Sequence, residues 1–142
     1  MQDGLKFRVL TPDEVLASWH SIRSLLEPAI EHCNGEFEAD DLRDMVMNGR
    51  AFIFVLEGDA GFVLACVAEV LILPRKKVIN VIALGGSKLN VLILQMWDRL
   101  AEIGRILGAD SIRGSVRPSM QRYYRRFSPE SSVAYTIMER KL

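Results

Sequence analysis

The segment from Lys77 to Pro129 constrains the fold of this chain more than any other. Its hydrophobic periodicity predicts a strand, a long amphipathic helix, a second strand and a short aromatic helix, in that order. The first strand ends in Gly85-Gly86, and Ser87 is a suitable N-cap for the long helix. Because the first N–H groups of a helix lack partners within it and carry a partial positive charge, such a turn is typical of a phosphate-binding site.

The remaining segments alternate between helical and strand periodicity. The run from Phe62 to Leu73 is apolar on both faces, which predicts a sheet that is covered on both sides, and Glu69 is its only charged residue. The other predicted elements are a strand at 5–10, a helix from Thr11 to Asn34-Gly35 with a kink at Pro28, a helix at 39–47, a strand at 51–56 joined to 62–73 by a loop of four or five residues, and a closing strand at 133–138.

Composition sets broad limits on the class of protein. At 142 residues the chain is long enough for one domain spanning 1–142. Its formal net charge is zero, which gives no reason to expect nucleic acid or a membrane surface as a partner. Cys33 and Cys66 do not imply a disulfide, and no Cys/His cluster has the spacing of metal ligands, so no metal site is expected. No apolar run reaches the roughly 18 residues of a transmembrane helix, and we expect a cytoplasmic protein.

Several stretches of the chain carry a resemblance to a known family. They are the helix with residues 25–36, the run DDLRDMVMNGRAFIFV, the strand with Glu69 and the following Pro74, VINVIALGG, WDRLAEIGRILGADSIRG, and Arg117. With its predicted order β-α-α-β-β-β-α-β-α-β, the chain resembles the GNAT superfamily of N-acetyltransferases, and it looks like the compact GNAT-like proteins of tailed phages and prophages. The resemblance implies an α/β (α+β) fold with a twisted, mixed, mostly antiparallel sheet and helices on both faces.

The resemblance also implies an activity, the transfer of an acetyl group from acetyl-CoA to an amine. Glu69 would accept a proton from the amine, Tyr124 would donate one to the departing thiolate, and the cofactor would be bound by the turn Leu84, Gly85, Gly86, Ser87 and Lys88. Family members usually carry Arg or Gln, two further residues, and then Gly-x-Gly or Gly-x-Ala at this turn. Here the window reads ALGGSK, so the spaced glycines are absent, whereas the family's tyrosine position is kept.

Each of these residues also has an ordinary structural interpretation. A strand-to-helix turn uses glycines without any ligand, and an aromatic residue such as Tyr124 is often core packing. The Glu69 carboxylate either reaches the edge of the sheet or pairs with Arg75 or Arg113. The arginines between positions 113 and 126 either neutralise a nucleotide 3′-phosphate, contact nucleic acid, or form a solvated helix face.

At the level of function, two hypotheses therefore stand side by side. An active enzyme would have acyl-CoA and an amine acceptor as its partners. The alternative is a catalytically inactive GNAT-fold accessory protein of a phage, located in the host cytoplasm or in the virion. Apolar surface at Val91 and Leu94 would then meet phage virion proteins or another copy of the chain.

Overall fold

The structure, a computed structural model, describes residues 4–142, except for the side chains of Asn90 and Phe127. Within that range, five strands form one sheet in the order β1-β2-β3-β4-β5, and every neighbouring pair is antiparallel except β4 with β5. This mixed, mostly antiparallel sheet confirms the predicted fold class. In chain order the elements are β1 Lys6–Val9, α1 Pro12–Ala17, α2 Trp19–Glu31, α3 Ala39–Met47, β2 Phe52–Gly58, β3 Gly61–Leu73, β4 Lys76–Gly86, α4 Leu89–Ile106, β5 Ser111–Gly114 and α5 Pro118–Phe127.

The first predicted helix is two helices. Thr11 begins α1 as an N-cap, and its hydroxyl accepts from the Glu14 N–H while the Glu14 carboxylate accepts from the Thr11 N–H. The break between the two helices falls at Ser18, whose backbone is not helical, and Pro28, where a kink was predicted, lies inside α2. The break lets each helix direct its own apolar residues, Val15 from α1 and Ile22 from α2, into one core.

The hairpin between β2 and β3 is tighter than predicted. Gly58 pairs with Gly61 across the strands, so Asp59 and Ala60 alone form the loop in place of the expected four or five residues. Gly61 has a φ of 117°, a conformation that favours glycine. The tight turn sets the register of β3, which is buried on both faces through its middle as the sequence predicts.

The sheet separates two apolar cores, as predicted for helices on both faces. Side chains alternate between the faces of β3, so Val67 packs on the side of α1–α3, whereas Cys66 and Ala68 pack on the side of α4. We call these the α2 face and the α4 face. The largest fully buried side chains are Ile22, Leu26, Leu42 and Ile53 on the α2 face, and Leu56, Leu64, Leu92, Met96 and Leu100 on the α4 face.

The predicted closing strand at 133–138 is wrong. Segment 132–142 forms no helix or strand and all its residues are exposed, because its backbone pairs with no strand among residues 4–142. Two polar contacts hold it to the domain: the Asn34 amide donates to Glu139 Oε2 at 2.6 Å, and the Arg113 guanidinium lies 5.9 Å from the centroid of the Tyr135 ring. None of the helices in the described part of the chain has the length and apolar character needed to cross a membrane.

Candidate active site

A notch opens in the sheet where β4 and β5 part. The two parallel strands pair from Val78 with Ser111 to Val81 with Gly114, and β5 then ends. β4 continues to Gly86 and over that length is paired on its other side only, with β3. One edge of β4 therefore carries unpaired backbone groups just before α4 begins.

A β-bulge lies where the notch begins. Ala68 pairs with Val81 and Val67 pairs with Ala83, so Ile82 is an extra residue in β4. A bulge bends its strand and increases the local twist. This bend falls where the pairing of β4 with β5 ends.

The backbone of the notch offers both donors and acceptors. The Ser87 N–H donates to the Val63 carbonyl of β3 at 2.9 Å. Backbone groups in an antiparallel pair point alternately toward and away from the partner strand. Gly85 therefore faces β3 like Ser87, whereas Leu84 and Gly86 direct their N–H and C=O groups into the notch.

The two glycines are required by packing. A Cβ at Gly85 would overlap the carbonyl oxygen of Leu25 in α2, and one at Gly86 would lie 2.8 Å from the Leu64 Cα. Gly86 also has a φ of 149°, where other residues are strained. Two elements thus approach β4 closely at this turn, and the glycines are accounted for before any ligand is considered.

The predicted N-cap of α4 is wrong by one residue. Because the Ser87 N–H bonds to Val63, strand pairing reaches residue 87, and Lys88 becomes the N-cap. Lys88 is left-handed, with a φ of 54°, and makes no side-chain cap. Among the described backbone hydrogen bonds the N–H groups of Lys88 and Leu89 have no acceptor, so the helix presents free donors next to the notch.

Tyr124 lies on the α4 face beside the notch. Its ring packs edge-on against Trp97 of α4, with the centroids 5.2 Å apart, and the two rings help to line a small apolar pocket together with Ile93 and Leu94. Burial raises the pKa of Tyr124 to about 12, and the buried Cys66 adds to the shift. The phenol is therefore protonated at neutral pH and able to donate a hydrogen bond.

Glu69 lies on the opposite side of the sheet, because alternation along β3 places it on the α2 face with Val67. Its carboxylate accepts a hydrogen bond from the Asn80 amide at 2.9 Å, and Asn80 in turn is the register partner of Arg113 in β5. Neither predicted partner, Arg75 or Arg113, forms an ion pair with it among the described side chains. Sequence reasoning missed Asn80, although a correct register for β3 and β4 would have found it.

The structure places the predicted residues at different positions relative to the notch. The cofactor turn lies at the end of β4, Tyr124 lies on the α4 face, and Glu69 lies on the α2 face opposite Asn80, where β4 and β5 are still paired. The exposed arginines Arg117, Arg122 and Arg125 follow β5, in a stretch from 111 to 129 that has no acidic residue. No group of three His, Cys, Asp or Glu side chains that could hold a metal ion occurs among the described residues.

Comparison with solved structures identifies the fold. No protein-family model and no curated protein matches this chain. A crystal structure of a GNAT family acetyltransferase from Staphylococcus aureus matches with a TM-score of 0.70 at 9% identity, covering 98% of this chain and 99% of that one. The chain has the GNAT acetyltransferase fold.

Other GNAT-like structures match over similar lengths. An aminoglycoside acetyltransferase from an uncultured soil metagenomic sample, in complex with trehalose, has a TM-score of 0.77 at 15% identity, with 99% of this chain and 98% of that one covered. A predicted acetyltransferase from Clostridium acetobutylicum, with acetyl-CoA, has a TM-score of 0.68 at 9% identity, with 95% and 96% covered. At these identities the comparisons establish the fold alone.

Proposed function

We propose that this protein transfers an acetyl group from acetyl-CoA to an amine. The observation that carries the proposal is the open edge of β4, which runs past the end of β5 and leads into the free N–H groups of α4. Bound acetyl-CoA would supply an activated acetyl thioester. The protein's part is to position that thioester and to handle one proton on either side of it.

The notch fits an acyl-CoA molecule by its donor set. The backbone groups of Leu84 and Gly86 suit the amides of an extended pantetheine arm, which would add to β4 as a further strand does. The N–H groups of Lys88 and Leu89, with the exposed Lys88 ammonium, suit the pyrophosphate. Ser87 has only its hydroxyl to offer, since Val63 accepts its N–H, and Gly85 serves by letting α2 approach β4.

Tyr124 is proposed to act on the departing sulfur. An ordinary thiol has a pKa of about 8.5, whereas the pKa of Tyr124 is raised to about 12. Full proton transfer from the phenol to a thiolate is therefore unfavourable in this environment. The role that the pKa supports is a hydrogen bond from the phenol, which stabilises the thiolate as it forms.

Glu69 is proposed to accept the proton of the amine. The Asn80 amide donates a hydrogen bond to Oε2 of Glu69 and holds the carboxylate in place. The other carboxylate oxygen is left available to accept a proton. Glu69 and Tyr124 lie on opposite faces of the sheet, so the incoming amine and the departing sulfur would have separate partners.

Binding of acetyl-CoA is the first test. For a Kd of about 10 µM, acetyl-CoA at about 1 mM raises the free energy of unfolding by about 2.7 kcal/mol. With about 2.1 cal/mol/K of unfolding entropy per residue, the Tm of a 142-residue domain then rises by about 9 °C. An unchanged Tm, together with no heat of binding in calorimetry at the same concentration, would refute the proposal.

Two substitutions then test the chemistry, with thiol release in the presence of amines as the readout. Aminoglycosides come first among the acceptors, because a structural neighbour is an aminoglycoside acetyltransferase that has also been crystallised with sisomicin. Tyr124→Phe keeps the ring packing and should lower kcat while leaving the Kd of acetyl-CoA unchanged. Glu69→Gln keeps the bond to Asn80 and should lower kcat in the same way; full activity in both variants would remove these roles.

The second candidate is a catalytically inactive GNAT-fold protein that associates with a phage virion. It is favoured by the glycines of the turn, whose presence the packing at Leu25 and Leu64 already explains. The exposed Val91 side chain, 57% accessible, would belong to its contact surface. This candidate predicts that the protein does not bind acetyl-CoA and that Tyr124→Phe changes neither binding nor thiol release.

A further inference from the structure

A row of polar side chains crosses three adjacent strands on the α2 face of the sheet. Glu69 of β3 is the register partner of Asn80 of β4, and Asn80 is the register partner of Arg113 of β5. Because register partners point to the same face of a sheet, the three side chains lie side by side. We call these three residues the polar row. All three are half-buried, and the fully buried Val67 and Val78 flank the row along the strands.

Arg113 carries a charge that no described side chain neutralises. It forms no ion pair among the described residues, and its guanidinium carbon lies 5.9 Å from the centroid of the Tyr135 ring. A contact with a ring leaves the N–H donors of the guanidinium available for other partners. Arginine is well suited to bind a carboxylate through two parallel N–H groups, particularly where the site is partly removed from water. Arg113 is therefore placed to bind an anion.

Glu69 is not the anion that Arg113 binds, because Asn80 lies between them. Two strand spacings separate the backbones of β3 and β5 by about 10 Å. The Glu69 carboxylate accepts from the Asn80 amide at 2.9 Å, which holds it at its own end of the polar row. The row thus presents an anion at one end and a cation at the other, with a neutral amide between them.

A small molecule with an amine and a carboxylate matches both ends of the polar row. We propose that the acceptor substrate belongs to this class, with its amine at Glu69 and its carboxylate at Arg113. The inference rests on the proposed function and names the substrate class for it. In the transfer the neutral amine nitrogen bonds to the acetyl carbon and the carbon–sulfur bond breaks. CoA leaves as the thiolate, and one proton of the amine goes to Glu69.

The spacing and the charge of the polar row narrow the class further. Hydrogen bonds of about 3 Å at each end leave about 4 Å between the amine and the carboxylate of the ligand, which is the span of β-alanine or 4-aminobutyrate. A phosphate carries up to two negative charges, which one arginine does not balance. An aminoglycoside has several ammonium groups and no carboxylate, so Arg113 would oppose its binding.

Thiol release with matched acceptors tests this preference. β-Alanine and 4-aminobutyrate are compared with their amides, which have the same length and no negative charge. The kcat/KM of the parent protein should be about tenfold higher for the carboxylates. Arg113→Gln should remove the preference by slowing the carboxylates alone, and Arg113→Lys should keep part of it. Arg75→Gln, at an exposed arginine in the turn between β3 and β4, should leave the preference unchanged.

Ligand binding without acetyl-CoA separates this inference from the proposed function. For a Kd of about 1 mM, 4-aminobutyrate at about 10 mM should raise the Tm by about 5 °C. Its amide should not raise the Tm, and neither should 4-aminobutyrate added to Arg113→Gln. Binding through Arg113 without any thiol release would refute acetyl transfer and leave the ligand class standing.

Three results overturn the inference. One is acetyl transfer that shows no preference for carboxylates or that favours aminoglycosides, which would leave the proposed function intact. Another is a preference for carboxylates that survives in Arg113→Gln. The third is the absence of both ligand binding and thiol release, which would also remove the proposed function.

Discussion

Gly85→Ala tests whether α2 rests on the backbone of β4 as closely as the structure shows. The new Cβ would overlap the Leu25 carbonyl oxygen and lie 3.3 Å from the Leu25 carbonyl carbon and 3.5 Å from the Leu26 Cα. All three atoms belong to a helix backbone, so no side chain can turn away to make room. Relief requires α2 to move by about 1 Å, and Leu26 is fully buried in the core beneath it.

The cost should exceed that of ordinary overpacking, which is about 1–3 kcal/mol for extra methylene groups. We expect a loss of about 3 kcal/mol or more, or a fall in Tm of about 10 °C for a domain of 142 residues. Gly104→Ala is the matched control, since a Cβ there would meet its nearest atom, Ile79 Cγ1, at 3.5 Å, an ordinary contact. Gly104 lies within α4, so alanine should stabilise by about 0.4–1 kcal/mol.

Urea denaturation followed by circular dichroism measures both variants, with the slope of the transition checked for a change in unfolding mode. The reasoning fails if Gly85→Ala unfolds within about 0.5 kcal/mol of the parent protein, or if Gly104→Ala is the more damaging of the two. A near-neutral Gly85→Ala would mean that α2 does not press on the turn. The glycine would then need another explanation, of which ligand approach is the first.

Three further outcomes are expected. Stability should fall as pH rises above 9, because burial raises the pKa of Cys66 from 9.0 to about 12 and that of Tyr124 from 10.0 to about 12. Above its ordinary pKa, each group lowers the free energy of unfolding by about 1.4 kcal/mol per pH unit. In a urea titration, Cys66→Ala should therefore delay the fall to pH 10. Thr11→Ala should cost about 1 kcal/mol in the same assay by removing the cap of α1, and an unchanged midpoint would contradict that. Lys88→Gly should raise the free energy of unfolding by about 0.5–1 kcal/mol yet weaken acetyl-CoA binding. Asn34→Gly should leave binding unchanged, since Asn34 is the other non-glycine residue with a positive φ in the described part of the chain.

Most elements of the fold follow from patterns that are local in sequence. The helix at 39–47 was predicted at the positions where it occurs, because an amphipathic stripe and flanking turn residues specify it. The break at Ser18 has no such signal, because no glycine or proline marks it. It follows instead from the burial of Val15 in α1 and Ile22 in α2 within one core. The strand predicted at 133–138 fails for a related reason: its composition favours a strand, but pairing depends on a partner.

In the candidate site, too, some features could be predicted from the sequence and others could not. The turn at Gly85-Gly86 and the position of Tyr124 could be predicted, because glycines after a strand and an aromatic helix after β5 are visible in the sequence. The hydrogen bond from Asn80 to Glu69 could not, because it depends on the register of β3 against β4, which the turn at Pro74-Arg75 sets. Which face of the sheet each residue occupies depends on the same register.

Lys88 connects the missing glycine pattern with the observed geometry. The GNAT turn usually has a second glycine or alanine two residues after the first, and here Gly86 is followed two residues later by Lys88. Lys88 nevertheless adopts the left-handed conformation that glycine favours, at a φ of 54° and without a side-chain cap to stabilise it. The turn therefore holds a lysine in a conformation that favours glycine, and the conformational cost falls on a cation. A strained residue persists where the surrounding structure fixes it, and here β3 fixes Ser87 on one side and α4 begins on the other. The Lys88 ammonium lies beside two free helix N–H groups, so in the proposed function it would add to the binding of a phosphate.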